Sequence, residues 1–434
     1  MRSGRTVAAI GPLALAMSLV LGGIDPGLAQ TGQPAVPSSP TDRNLPAAST
    51  TPPAPEQKPQ GLTFDDGGGN VRVGDFTWTF WGYGERIFNT GPGKDTWRRF
   101  RQGSEFDLPR VTTNLRPAIV YEVDLTDSAF LANGLGNRRG LGRRVFENLY
   151  LALQDVEDPA KLRALIGDNT HIFSREDNLS SGNLPTVNRS LILEEHNSAG
   201  IFGPQFGIEY GMALSPHYSV AVAALDNRGS LNQDRPQYSV GNSFSARLSA
   251  TPIEENAQKL TWGVAVDHTR NFRDRIFPLL TATLQSQIGG VSVSGNKSSV
   301  EADVAYTFPA LFGRPATFEA EGIYSRFGTS RTDIAGGFVM LQHQVFDSGP
   351  SGDLDLFARH DAVALRTAGV SGQVVQQATR LGVNYNLPYA RRRANLHLEY
   401  AHNRATGPAE ILQSRGSDEF VAELRFSLQP YIRH

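Results

Sequence analysis

From about residue 75 to the C-terminus the chain obeys one rule, segment after segment: apolar side chains take every second position. Phe76, Trp78 and Phe80 open the series. Ile119, Tyr121, Val123 and Leu125 alternate with Val120, Glu122, Asp124 and Thr126. Leu260, Trp262, Val264 and Val266 oppose Thr261, Gly263, Ala265 and Asp267. Val300, Ala302, Val304 and Tyr306 oppose Glu301 and Asp303, and the last segment sets Phe420, Ala422, Leu424 and Phe426 against Glu423 and Arg425. A period of two gives each strand one apolar face and one polar or small face. Leu280, Ala282 and Leu284 against Thr281, Thr283 and Gln285 read as one more such strand. No helical pattern of useful length intervenes. At roughly 23 residues per strand and connection the expected fold is all-β, a transmembrane antiparallel β-barrel of about 16 strands (14–18). A soluble sandwich or propeller also alternates. The charged and small residues on the second face, and the lack of any blade-length repeat, favour a barrel with a wet interior.

Composition narrows the classes that remain. With no cysteine, disulfide scaffolds, thiolate metal sites and cysteine nucleophiles are excluded. A net charge of −2 over 434 residues gives no reason to expect nucleic acid as a partner. The mean hydropathy of −0.30 suits a soluble protein or a membrane barrel equally, because only alternate barrel residues meet lipid. Beyond the N-terminus there is no apolar run long enough for a membrane-spanning helix.

Residues 1–29 read as a secretory signal peptide: Arg2 and Arg5, an apolar stretch from Val7 to Leu21, and Gly27-Leu28-Ala29 as a small-x-small cleavage site. An uncleaved anchor helix is the competing reading, opposed by Pro12, Gly22 and Gly23. Residues 30–70 form a Pro-rich segment expected to be a disordered linker, and 71–434 the barrel. Export without spanning helices points to the periplasm or the outer membrane.

One connection is out of proportion. Residues 168–201, rich in Gly, Ser and Asn, separate the strand of Leu162, Ala164 and Ile166 from a hairpin whose strands hold Phe206, Ile208 and Tyr210, then Tyr218, Val220 and Val222, with Ser215-Pro216 as the turn. Long connections in compact folds usually carry function. This one is expected to fold into the mouth of the barrel, with the hairpin as part of the wall.

Several stretches resemble the phosphate-selective porins O and P of Gram-negative outer membranes. Phe173-Ser174-Arg175-Glu176 is similar to that family's Pro-Phe-Ser-x-Glu, and Ile192-Leu193-Glu194-Glu195 falls where it has Phe-Met-Glu-Arg. Phe202-Gly203-Pro204-Gln205-Phe206-Gly207-Ile208 resembles its Pro-Gly-Arg-x-x-Gly-Val. Leu356-Phe357-Ala358-Arg359-His360-Asp361 and Leu381-Gly382-Val383-Asn384-Tyr385-Asn386-Leu387 match two later segments in order. The resemblance implies a 16-stranded homotrimeric barrel in membrane lipid, a third external loop folded inward as the constriction, and passage of small hydrophilic solutes or inorganic anions selected by basic lumenal residues. The chain departs from the family where it matters: Glu195 and Gln205 stand where the family has arginine.

Rings of Arg or Lys favour anions in a pore. The lysines here are Lys58, Lys94, Lys161, Lys259 and Lys297, too few for a basic ladder. The candidate lumen and constriction residues are Arg175, Arg189, Glu194 and Glu195 in the loop, with Arg163, Arg247, Arg359, Arg380 and Arg425 on polar strand faces. The competing reading of each strand arginine is an ion pair within the wall. Carboxylates outnumber them on the same faces. The expectation is therefore a porin with weakened anion selectivity; the alternative is a plugged β-barrel scaffold or adhesin. No nucleophile elbow, His-Glu-x-x-His or P-loop is present, and His217 with Ser219 at a tight turn is a coincidental pair. Neither catalysis nor a cofactor or metal is expected.

Overall fold

The computed structural model describes residues 61–65, 68–89, 96–125, 146–158, 161–169, 172–179, 184–202, 205–226, 242–255, 257–347, 352–387 and 394–427. The expected signal peptide (residues 1–29) and most of the expected Pro-rich linker lie outside them. The sheet starts within the stretch that composition assigns to the linker: β1 (Gly61–Asp65) and β2 (Gly68–Val73) form a hairpin, and β2 pairs with the start of β3 (Phe76–Asn89). A Pro-rich stretch that runs into Gly-rich sequence regains free N–H donors, and those two short strands use them.

The wall continues with β4 (Thr96–Asp107), β5 (Leu115–Asp124), β6 (Phe146–Asp155), β7 (Leu162–Asn169), β8 (Gln205–Ser215), β9 (Tyr218–Asp226) and β10 (Ser243–Glu255). It goes on through β11 (Gln258–Leu280), β12 (Gln287–Pro309), β13 (Pro315–Phe327), β14 (Thr332–Asp347), β15 (Asp353–Arg366), β16 (Val374–Asn386), β17 (Ala394–Thr406) and β18 (Gly416–Ser427). Each strand pairs antiparallel with the next, and β18 returns to β3 from Val421↔Asn89 to Ser427↔Tyr83. The strands from β3 to β18 thus form a closed antiparallel barrel of sixteen. Closure removes both sheet edges, as a strand structure in lipid requires.

Its polarity is inverted relative to a soluble protein. Val264 (44% exposed), Leu341 (47%) and Leu381 (52%) face outward, while Arg359, Arg380, Glu399 and Glu423 are buried inside. The two ends differ. Short turns join β6 to β7, β8 to β9 and β10 to β11. At the first, the Asp155 carboxylate accepts the N–H of Glu157 at 2.9 Å and of Asp158 at 3.1 Å, an Asx turn that closes the chain without glycine. At the other end lies the long β7–β8 connection with α1 (Leu191–Ser198).

β11 and β12 are 23 residues each, far longer than their neighbours. Irregular pairing between Thr269 and Phe272, and again between Phe272 and Arg275, breaks the ladder in their upper halves. Bulges bend a strand, and this hairpin bends inward. Residues 280–286 therefore do not form the wall strand that alternation suggests. β11 ends at Leu280, and the tip places Ala282, Thr281 and Thr283 inside the barrel. A segment packed on one side within a lumen buries alternate residues much as a wall strand does, so the pattern alone misplaces it.

Candidate functional site

A loop inside a barrel has no neighbouring strand, yet its peptide groups still need partners. The inner wall supplies them, residue by residue. Carboxylates take the N–H groups: Glu321 accepts from Glu176 (2.9 Å), Glu399 from Val187 (2.8 Å) and Asp361 from Leu191 (3.3 Å). Arginines and amides take the carbonyls. Arg247 donates to Phe173 O (3.0 Å), and Arg380 donates to Asn188 O and Arg189 O (3.0 Å each). Arg425 donates to Leu184 O (2.5 Å) and Thr186 O (2.7 Å), and Asn384 to Pro185 O (2.8 Å). Buried donors and acceptors that lose such partners cost about 1–3 kcal/mol each, more when charged.

These bonds are backed by ion pairs. Arg359 lies 2.7 Å from Glu176 and 3.2 Å from Asp361; Arg380 lies 3.0 Å from the other Asp361 oxygen and 3.8 Å from Glu399. Arg425 pairs with Glu423 at 2.8 Å. Arg359, Arg380 and Arg425 are 2%, 0% and 3% exposed, so these three arginines grip the loop and present no free face to water. Arg247 bridges Glu301 (2.8 Å) and Asp303 beside them.

The helix sits in an apolar seat. Leu191, Ile192 and Leu193 are buried with Phe277, Ile323, Ile334 and Val363, each worth ~1.5–3 kcal/mol relative to exposure. A Cβ on Gly336 would meet Ile192 Cβ at 3.1 Å and Ala362 O at 2.7 Å, so the bare backbone there lets α1 approach β14. The Ser190 side chain makes no cap; the Asp361 bond to Leu191 N puts a carboxylate at the helix start instead. Gly200, at φ +67°, turns the chain out of the helix. His196 hydrogen bonds to Ile192 O (2.6 Å) and Ser325 Oγ (2.9 Å) and stacks on Phe202. Burial pushes its imidazole down to about 3, so it stays neutral in this seat.

The hairpin tip is stitched to the same body. Glu195 Oε1 accepts Leu280 N at 3.0 Å, Asn403 accepts from Ala282 N at 2.9 Å, and Glu419 from Thr283 N at 2.9 Å. Asn188 donates to Thr283 O at 2.6 Å. The loop and the tip together pack against the inside of β10 to β18. This second inward segment is missing from the sequence reading; the unusual spacing between Thr261 and Pro309 was the available signal.

The remaining sequence candidates fall as follows. Arg175, 24% exposed at its side chain, pairs with Glu319 at 3.1 Å. Arg189 donates to the carbonyls of Glu176 (3.2 Å) and Leu179 (2.7 Å) and so ties the loop to itself. Glu194 is half-buried, accepts Arg189 N at 3.1 Å and lies within the field of Arg99 on β4. Glu195, by contrast, is fully buried under the tip and places no charge in the bore. Arg163 stands over the Tyr150 ring at 5.1 Å. On the adjacent strands β4 and β5 Arg101 pairs with Glu122 (3.1 Å) and Asp124 (3.2 Å), and Arg116 with Asp107 (3.1 Å). Among the described residues no group of three or more His, Asp or Glu is placed to hold a metal. His217 is exposed at its turn and hydrogen bonds to Thr251 O at 2.9 Å.

Neither a scan of protein-family models nor a search of curated proteins finds a match to this sequence. Solved structures do match in shape. OmpT, an outer membrane protein of Vibrio cholerae, superposes with a TM-score of 0.51 at 11% identity, covering 82% of this chain and 99% of that one. OmpF of Salmonella typhi, in a complex with daunomycin, gives 0.50 at 12% identity over 84% and 99%. At such identity the likeness is one of fold: this chain is a closed sixteen-stranded barrel of the porin type.

Proposed function

We propose that the protein is an outer-membrane porin that lets small hydrophilic or ionic solutes diffuse passively, with residues 168–201 narrowing the bore. One observation carries this reading: the barrel is apolar outside and charged inside, and a long loop is docked on the charged inner wall. Such an inversion suits a wall between lipid and water. The sequence resemblance to phosphate-selective porins O and P supports a trimeric assembly and a place in the outer membrane.

The charge pattern favours weak selectivity. Arg99, Arg101, Arg116, Arg175 and Arg247 each face a carboxylate within 4.0 Å, and Arg359, Arg380 and Arg425 are occupied by the loop and its carboxylates. A paired guanidinium attracts a passing anion far less than an open ring of cations. In a potassium chloride gradient across a planar bilayer, the reversal potential is expected to stay far below the Nernst limit for either ion. Phosphate is expected to leave the current unchanged. A near-ideal anion potential with block by phosphate would instead place the chain functionally with the phosphate-selective porins.

A further inference from the structure

The outer face carries a feature that transport does not use. Register sets His268, Ser298, Arg326, Asp333 and Arg366 side by side across β11 to β15. Neighbouring strands are about 4.8 Å apart, so Arg326 and Arg366 flank Asp333 at roughly 10 Å from each other. One step further toward the loop end on β11 stands Arg270, whereas Arg404 on β17, paired with Gln377, lies in the lower row of Ala362. Arg326 is 71% exposed at its side chain and lies 3.8 Å from Asp333. That aspartate also accepts the Tyr324 hydroxyl at 2.8 Å. Arg270, Arg366 and Arg404 are exposed and have no ion pair among the described residues. His268 is occupied with Ser298 Oγ at 3.0 Å.

The position of the row is as telling as its charge. The next row toward the turn end is Val266, Val300, Tyr324, Ala335 and Ala364; beyond it come Val264 and Ala302. The guanidinium groups therefore stand at the upper border of the apolar face. The opposite border of the same strands carries Tyr306, Phe318 and Leu341, then Phe308 and His343. On these strands the exposed arginines stand at the loop end, whereas aromatic rings stand at both ends, with Phe244 paired to His268 and Tyr324 one row below Arg326.

We propose that this row is a binding site for the phosphate groups of an anionic membrane lipid in the leaflet at the loop end, resting on the porin reading above. Arg326 and Arg366 hold one phosphate from both sides, Arg270 reaches the headgroup from above, and the acyl chains lie on the rows of Val266 and Val300. The guanidinium fork matches phosphate geometry and stays charged at any relevant pH. Free phosphate would gain nothing from the apolar rows below, which is why a lipid is the occupant.

The test is native mass spectrometry of the full chain folded in detergent micelles, titrated with bis-phosphorylated lipid A and with the same lipid stripped of its phosphates. The phosphorylated form is expected to bind at least about tenfold more tightly, and Arg326→Ala with Arg366→Ala to remove about tenfold of that affinity. Excess inorganic phosphate is expected to compete poorly. Equal binding of the two lipids, or an unchanged double variant, overturns the site; full competition by inorganic phosphate overturns its assignment to lipid. Heat-modifiable electrophoretic mobility reports whether the variant folds, and if it does not, the comparison of the two lipids on the wild-type chain decides alone. A chain that folds and conducts but ignores the phosphates defeats this inference only, whereas one that never conducts defeats the porin reading.

Discussion

Replacing Arg380 by alanine is expected to free the inner loop while the barrel wall stays closed. The side chain is fully buried, and it serves Asp361, Glu399 and the carbonyls of Asn188 and Arg189 at once. Removing one member of a buried charge network typically costs about 3–5 kcal/mol, because the partners are left charged and out of water. Here that cost is relieved by letting the loop lift and water enter. The wall itself is held by backbone ladders, and the substitution leaves Arg380's own backbone pairing with Arg359 and Ala401 in place. Larger, flickering single-channel steps with heat-modifiable mobility retained are the expected readout. Steps of wild-type size and noise would show that the loop does not depend on this anchor.

Glu195→Lys is expected to be nearly as damaging, and for the opposite reason. Burial pushes the Glu195 carboxyl well above the usual carboxylate range; the Leu280 N–H offsets this in part, and the charge of Asp361 adds to it. The group is an uncharged link between α1 and the hairpin tip. A lysine there would bury an unpaired cation on top of losing the Leu280 bond, at a cost of several kcal/mol. Glu195→Gln keeps the shape and the neutral acceptor and is expected to conduct as wild type does and to be at least as stable near neutral pH. The raised value also fixes a pH dependence. Stability from this site is complete below about pH 4.5, the unfolded value, and is lost as pH rises through the raised folded value. Each pH unit in that window removes at most about 1.4 kcal/mol. Chemical denaturation of the two proteins across pH checks it: Glu195→Gln is expected to flatten the slope, and an identical slope would show that Glu195 does not titrate in that range.

How much of this was written in the chain depends on the distance over which each feature acts. Strand pattern is local: Val264 and Val266 declare the outer face within four residues, and the barrel follows from repetition. The loop announced itself by length between Ile166 and Phe206. That Arg359, Arg380 and Arg425 face inward was equally legible. What covers them was not, because Asn188 and Leu184 reach them across about 200 residues of intervening chain, and no periodicity encodes that. Glu195 shows the same gap. Its replacement of a family arginine looked like a change of pore charge, whereas the fold buries it beneath Leu280. The excess of carboxylates likewise reads as an acidic lumen until Glu321, Glu399 and Asp361 are seen accepting the loop's own N–H groups.

Single-channel recording of the purified full chain in a planar bilayer tests the central claim most directly, since a bore open to water beside the docked loop would pass ions. Discrete, uniform current steps in potassium chloride are expected, with a small reversal potential in a salt gradient. A folded, membrane-inserted chain that gives no steps would mean that the loop and hairpin tip fill the lumen, leaving a plugged scaffold in place of a channel.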